Sequence, residues 1–218
     1  MKKKILLVGG CGFIGHNLAI ELSNRGHKPY VIDSLAINNI YSIKDTDFEN
    51  KKLYTLILNN RIDLLKKHKI PLKVLDARDY HLTSQSYSDF DPDVIVHLAA
   101  ISHANKSNKD PHTTFDHTLR TLENTLDIAK SYGSHFIYFS SSMIYGNFSA
   151  PEVDENTVAN PLGIYGALKY SAEKIELYIR STRRWINDLA INLDTLDYTK
   201  LLDQKWLKNQ DKEFSQSE

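Results

Sequence analysis

The stretch ILLVGGCGFIGHNLAIEL, residues 5–22, sets three glycines, Gly9, Gly12 and Gly15, between an apolar run and a segment with helical spacing. Where a strand turns sharply into a helix, each glycine has a physical use. The first ends the strand, the second lets the backbone approach a pyrophosphate, and the third lets the new helix pack closely on the sheet. The helix N-terminus then offers unpaired N–H groups and a partial positive charge to phosphates. Taken alone, the pattern equally suits an ordinary tight turn, so the rest of the chain has to decide.

Outward from this loop, short apolar or β-branched runs alternate with longer helical patterns. KILLVGG (4–10) precedes a helix over 13–25, and YVID (30–33) and LKVLD (72–76) follow. DVIVHLAA (93–100) precedes a helix over 113–131, and HFIYFSSS (135–142) precedes one over 164–181. Strands separated by helices predict a parallel sheet covered on both faces, because parallel neighbours need crossover connections. The fold class is therefore α/β, a doubly wound parallel sheet of the Rossmann type. Between Asp33 and Leu72, LNNRIDLLKKHKI (58–70) has helical spacing at Ile62, Leu65 and Ile70 and reads as an inserted helix. The end, 183–218, has no strand-like run; Trp185, Leu189, Leu196, Leu202 and Trp206 suit an amphipathic helical surface.

Bulk properties narrow the function. The 218 residues carry 27 Lys plus Arg against 27 Asp plus Glu, so no global field recruits nucleic acid or an anionic membrane. A small, locally recognised ligand is expected. The single cysteine, Cys11, allows no internal disulfide and fits a reducing, cytoplasmic setting. His97, His103, His112 and His117 are scattered without metal-ligand spacing, and no metal centre is expected. Lys2–Lys4 followed by Ile5–Val8 imitates a signal peptide, but the apolar core falls short of the about 7–15 residues one needs. Neither export nor a membrane span is expected.

Two further features turn the loop into a site. Asp33 ends the second strand, where a carboxylate can accept from both ribose hydroxyls of an adenosine and would repel a 2′-phosphate, which favours NAD over NADP. Asp76, after the third strand, is placed to meet the adenine edge or simply to cap the strand end. YGALK puts Tyr165 and Lys169 four apart, on one face of a helix. A phenol, with an ordinary pKa near ~10, accepts a proton at neutral pH only when a nearby positive charge favours phenolate. Tyr165 could then take a proton from a substrate hydroxyl. A serine from FSSSMIYG (139–146), at the carboxyl end of the fifth strand, could donate to the same oxygen.

GGCGFIG, HLAA, SSSMIYG and YGALK, in this order and spacing over about residues 1–180, resemble the extended short-chain dehydrogenase/reductase family. Within it they resemble the NAD-dependent nucleotide-sugar epimerase/dehydratase group. The resemblance implies that Gly9, Gly12, Phe13, Ile14, Gly15 and Asp33 hold NAD, with Asp76 and Ala77 flanking the adenine. It implies that Leu98, Ala99 and Ala100 line the cofactor, that Thr118 occupies the position of a cofactor-touching Asn, and that Tyr165 and Lys169 hold the nicotinamide ribose. Counting back four residues from Tyr145 puts Ser141 at the catalytic serine, with Ser142 as the fallback, beside Tyr165 and Lys169.

In the sugar 4,6-dehydratases of the group, the next two positions supply an acid and a glutamate that drive loss of water. Here they are Ser142 and Met143, so the resemblance implies an epimerase: transient oxidation of a sugar hydroxyl, rotation of the keto sugar, and return of hydride to its other face. A nucleotide sugar is the implied substrate, and helices 113–131 and 164–181 are the surfaces that pair in homodimeric relatives. Relatives also continue after the position of Arg180 with a sixth strand and a small domain that grips the sugar. No counterpart is read in this chain. The expected organisation is an NAD-binding domain over 1–182, with an inserted helical segment at about 36–70, and a helical or partly disordered tail over 183–218. A non-catalytic NAD-binding protein without the sugar domain, a sugar dehydratase, and a dehydrogenase independent of sugars are the rival readings.

Overall fold

The structure, a computed structural model, describes residues 2–44, 47–101, 104–148 and 151–181. The expectations for 183–218 lie outside them. Five strands form one sheet: β1 (Lys4–Val8), β2 (Lys28–Asp33), β3 (Leu72–Val74), β4 (Val94–His97) and β5 (His135–Tyr138). All pair in parallel in the order β3-β2-β1-β4-β5, with Leu6 of β1 aligned to Tyr30 on one side and Ile95 on the other. The central strands are continuous apolar runs because helices flank the sheet. Ile5, Leu6, Leu7 and Val8 are at most 1% exposed, as are Val31, Ile32, Val94 and Ile95. Burying each such side chain contributes roughly 1.5–3 kcal/mol.

The chain leaves β1 toward β2 on one side and reaches β4 on the other. The connections that leave the carboxyl ends of β1 and β4 therefore run to opposite sides and leave a crevice at the point where the strand order reverses. Helix α1 (Phe13–Asn24) follows β1 directly. Between β2 and β3 lie a short helix, α2 (Ile40–Ile43), and the long α3 (Lys51–Lys67), which packs against α1. The apolar periodicity places this helix at 58–70; it starts seven residues sooner. Its first turns carry Leu53, Leu56 and Ile57 outward, so they add no inward apolar face to the pattern.

Helix α4 (Tyr80–Phe90) has no counterpart in the sequence reading. Its buried face is Thr83, Ser86 and Tyr87, largely polar. Its start is specified by Asp79, whose carboxylate accepts the Leu82 N–H at 2.9 Å. After β4 come α5 (Ala104–Lys109) and α6 (Pro111–Phe115), then a π-helical turn over Asp116–Arg120, then α7 (Thr121–Tyr132). Asp110 caps α6 and Pro111 opens it, while Gly133 in the left-handed region, φ 68°, ends α7. Beyond β5, a 3₁₀ turn (Ser142–Tyr145) leads toward α8 (Gly163–Ser181). No helix among the described residues is long and apolar enough to cross a membrane.

Candidate active site

A cleft of about 570 Å³ runs along the carboxyl ends of the strands. At one end it is lined by the glycine loop, Asp33, Asp76 and Ala77, in the middle by Leu98, Ala99 and Ala100, and at the other end by Tyr165 and Lys169. Residues read from five separate stretches of sequence thus come together in one continuous depression.

The three glycines of the loop have different reasons to lack a side chain. Gly9 has φ +76°, and a Cβ there would lie 2.7 Å from the Ala99 backbone nitrogen. A Cβ on Gly15 would stand 2.5 Å from the Gly10 backbone. Both glycines are required by the protein's own packing. Gly12 is not: its φ of −72° suits any residue, and a Cβ would meet only the Gly9 carbonyl oxygen at an ordinary 3.5 Å. It stands as the N-cap of α1 without a capping side chain and faces the cleft. Neither conformation nor internal packing calls for glycine at this position. A ligand backbone pressed against the helix N-terminus does, and a dinucleotide pyrophosphate fits this cradle.

Asp33 is fixed from both sides. Its Oδ2 accepts the Cys11 N–H at 2.9 Å and its Oδ1 the Leu35 N–H at 2.8 Å. Burial raises its pKa, against these two N–H donors and the charge of Arg61. Cys11 beneath it is wholly buried, and burial followed by the charge of Asp33 pushes its thiol up to about 11, so it stays protonated. Asp76 pairs with Arg78, Nη2 to Oδ2 at 2.6 Å, and Arg78 also bonds Asp116 on the π turn. Burial raises the Asp76 pKa, but the hydrogen bonds and charge of Arg78 outweigh it and leave the carboxyl below its ordinary value. Asn124 of α7 donates to the Ala77 and Arg78 carbonyls at 3.0 and 2.9 Å. The adenine-flanking loop is therefore tied to α7.

At the far end, Lys169 is 4% exposed. Its Nζ donates to the Phe139 carbonyl at 2.7 Å and stands 4.6 Å from the centre of the Tyr138 ring. Burial lowers its pKa to about 8, partly offset by Glu173 one turn further along α8. Glu173 itself is raised by burial and hydrogen-bonded by Ser140. Beneath this group lies His97, stacked on Phe136 and Tyr138 and wholly buried. Burial, with the charge of Lys169, lowers its pKa to about 3 and holds the ring neutral.

Two expected residues stand elsewhere than the sequence places them. Ser141 does not line the cleft; it is the N-cap of the 3₁₀ turn, with its Oγ accepting the Met143 N–H at 3.2 Å. That role uses a lone pair and leaves the hydroxyl proton free to be donated. Ser140 is the serine in the cleft wall. Thr118 is buried and accepts the Ile101 N–H at 3.4 Å, while His117 and Thr121 face the cleft. The π turn, by adding a residue to one helical turn, rotates Thr118 off that face. Residues that sequence reasoning misses altogether include Tyr54 and Arg61, which reach the cleft from α3. It misses Gly166 as well, although this follows Tyr165 in YGALK: a Cβ there would stand 2.5 Å from the Met143 carbonyl oxygen, so glycine lets α8 seat against the serine turn.

Fold and site together define a dinucleotide-binding protein of the extended short-chain dehydrogenase/reductase type. The NAD dependent epimerase/dehydratase family model matches residues 5–187, and the chain belongs to that family. NAD is the cofactor of this family, and the cradle at Gly12 and Asp33 fits it.

Among similar proteins, Protein CapI of Staphylococcus aureus is 31% identical over 172 residues, covering 78% of this chain and 47% of CapI. The UDP-N-acetyl-alpha-D-glucosaminuronate decarboxylase of Bacillus cytotoxicus is 32% identical over 155 residues, covering 69% of this chain and 40% of the relative. The chain thus spans less than half the length of these two curated relatives. The fold is shared with the UDP-glucose 4-epimerase of Thermus thermophilus, solved as a complex with NAD, at a TM-score of 0.66 and 24% identity over 82% of this chain and 51% of that one.

Proposed function

We propose that the protein is an NAD-dependent nucleotide-sugar epimerase. The observation that carries this reading is a single cleft joining the Gly12–Asp33 cradle to Tyr165 and Lys169, beside a serine turn whose next two residues, Ser142 and Met143, cannot act as an acid–base pair. When bound, NAD supplies reversible two-electron oxidation of a sugar hydroxyl to a ketone. The chain's own residues manage the proton and the geometry. Tyr165 accepts the hydroxyl proton and later returns it. Lys169, held by the Phe139 carbonyl and the Tyr138 ring, supplies the positive charge that an anionic Tyr165 needs. The serine turn supplies the hydroxyl that orients the sugar oxygen toward Tyr165: Ser141, assigned by the family resemblance, keeps its hydroxyl proton for donation, and Ser140 stands beside it in the cleft wall. Because the keto sugar can turn over before it is reduced, the configuration at that carbon inverts.

Two of the similar proteins carry UDP-sugar names, so UDP-hexoses are the first substrates to offer. Incubation of the purified chain with UDP-glucose should give the 4-epimer by chromatography, with a transient rise in bound-cofactor absorbance. NAD-loaded protein that reduces no cofactor with any UDP-, GDP- or dTDP-sugar would sink the epimerase and leave a binding protein. A dehydrogenase would instead release reduced cofactor to solution, and a dehydratase would release a dehydrated keto sugar.

The same reading includes a homodimer in the cytoplasm, paired through helices 113–131 and 164–181. A groove of about 380 Å³ between α7 and α8, lined by Leu119, Leu122, Leu126 and Ile175 together with Glu123, Asp127 and Lys130, supports the pairing. Sedimentation should then give twice the monomer mass, reduced to one by Ile175→Glu.

A further inference from the structure

We infer that Arg61 binds a phosphate of the adenine dinucleotide, which makes α3 part of the cofactor site. The inference rests on the NAD reading of the cleft. Arg61 and Tyr54 lie two turns apart on α3 and both line the adenosine end. Three other arginines of the described residues each meet a carboxylate. Arg25 reaches Glu21 at 2.7 Å, Arg120 reaches Glu123 at 2.6 Å, and Arg78 is shared between Asp76 and Asp116. Arg61 is half-buried, yet among the described residues no carboxylate lies within ion-pair distance of it.

What Arg61 does have is a position. Its guanidinium carbon lies 6.0 Å from the centre of the Phe13 ring, and Phe13 is the first residue of α1, directly after Gly12. Phe13 is 71% exposed, so the guanidinium and the ring form a wall beside the helix N-terminus where the backbone N–H groups point. Asp33, which lines the same cleft, feels the charge of Arg61, but no ion pair joins the two.

A half-withdrawn guanidinium bears a desolvation cost that an anion in the cleft relieves. Its planar fork of donors matches two oxygens of a phosphate. The ring of Phe13 would steady that fork by a cation–π contact. The phosphate is the pyrophosphate seated at the start of α1, since Asp33 repels a 2′-phosphate.

Calorimetric titration of the full chain with NAD, NADP, ADP and adenosine tests this in Arg61→Gln and Arg61→Lys, with melting of the unliganded variants as the check on folding. Arg61→Gln should weaken ADP and NAD by about 10-fold or more and leave adenosine unchanged, and Arg61→Lys should fall between. An equal fold-loss for NAD and NADP supports the pyrophosphate contact, and a loss confined to NADP overturns it. Unchanged affinity for NAD, NADP and ADP in a folded Arg61→Gln overturns the inference, as does a loss for adenosine as large as that for ADP. If the unaltered chain binds neither NAD nor ADP, it is the cofactor reading beneath the inference that fails.

Discussion

Two loops at the carboxyl ends of parallel strands border the cleft, one after β1 and one after β5, and glycine serves them differently. In both, a glycine lets two backbones meet: Gly15 against Gly10 in the first, Gly166 against Met143 in the second. Only the first loop adds a glycine, Gly12, that the protein's own packing does not require. The second loop presents hydroxyls instead, with Ser141 capping a turn and Ser140 held by Glu173. One loop is shaped for a ligand to lie against, and the proposed reaction asks the other to give and take protons. A reaction needs both.

That contrast can be broken at either loop. The largest effect is expected at the proton-handling end: Tyr165→Phe should cut epimerisation by about 10²–10⁴-fold while NAD affinity holds, because the ring stays and only the proton carrier goes. A parallel loss of NAD affinity, measured by calorimetry, would show that Tyr165 serves binding instead. Next come the paired glycines. Gly15→Ala drives a Cβ into the Gly10 backbone, and unfolding in urea should show a loss of about 3 kcal/mol. Gly12→Ala should cost no more than about 1 kcal/mol, the difference between glycine and alanine at a helix N-cap. Yet it should weaken NAD by at least about 10-fold. Equal behaviour of the two variants in both assays would erase the distinction between a packing glycine and a ligand glycine.

The first loop is far easier to read in the sequence than its surroundings, for physical reasons. Strands buried on both faces are unbroken apolar runs, and the loop, Asp33 and the Tyr165–Lys169 pair are each local in sequence, so spacing alone exposes them. Helix α4 hides because Thr83 and Ser86 share its buried face, and polar residues there erase the 3.6-residue rhythm. Arg61 and Tyr54 enter the cleft only because α3 packs on α1, a contact no spacing records. Thr118 is assigned by resemblance to an Asn position of relatives, and a resemblance in sequence does not reveal the π turn at Asp116–Arg120, where His117 and Thr121 face the cleft instead. The serine turn is legible, but which hydroxyl faces the cleft depends on a cap visible only in three dimensions.

The last expected effect is a slope of stability with pH, and its sign follows from burial. Lys169 titrates near about 8 in the folded chain, against ~10.4 for an exposed lysine. Between those values the unfolded chain holds a proton that the folded chain has lost, so this group makes stability rise as pH rises from about 8 toward 10. Cys11 works the other way. Its thiol is pushed up to about 11 from 9.0, so above pH 9 the unfolded chain gives up a proton that the folded chain keeps, and stability falls. The two contributions overlap, and the separable quantity is the difference between the unaltered chain and Lys169→Met, followed by urea unfolding from pH 7 to 10. The unaltered chain should gain on the variant across that span. A flat difference would mean that Lys169 keeps its proton in the fold, so that the Phe139 carbonyl and the Tyr138 ring hold the ammonium more firmly than burial weakens it.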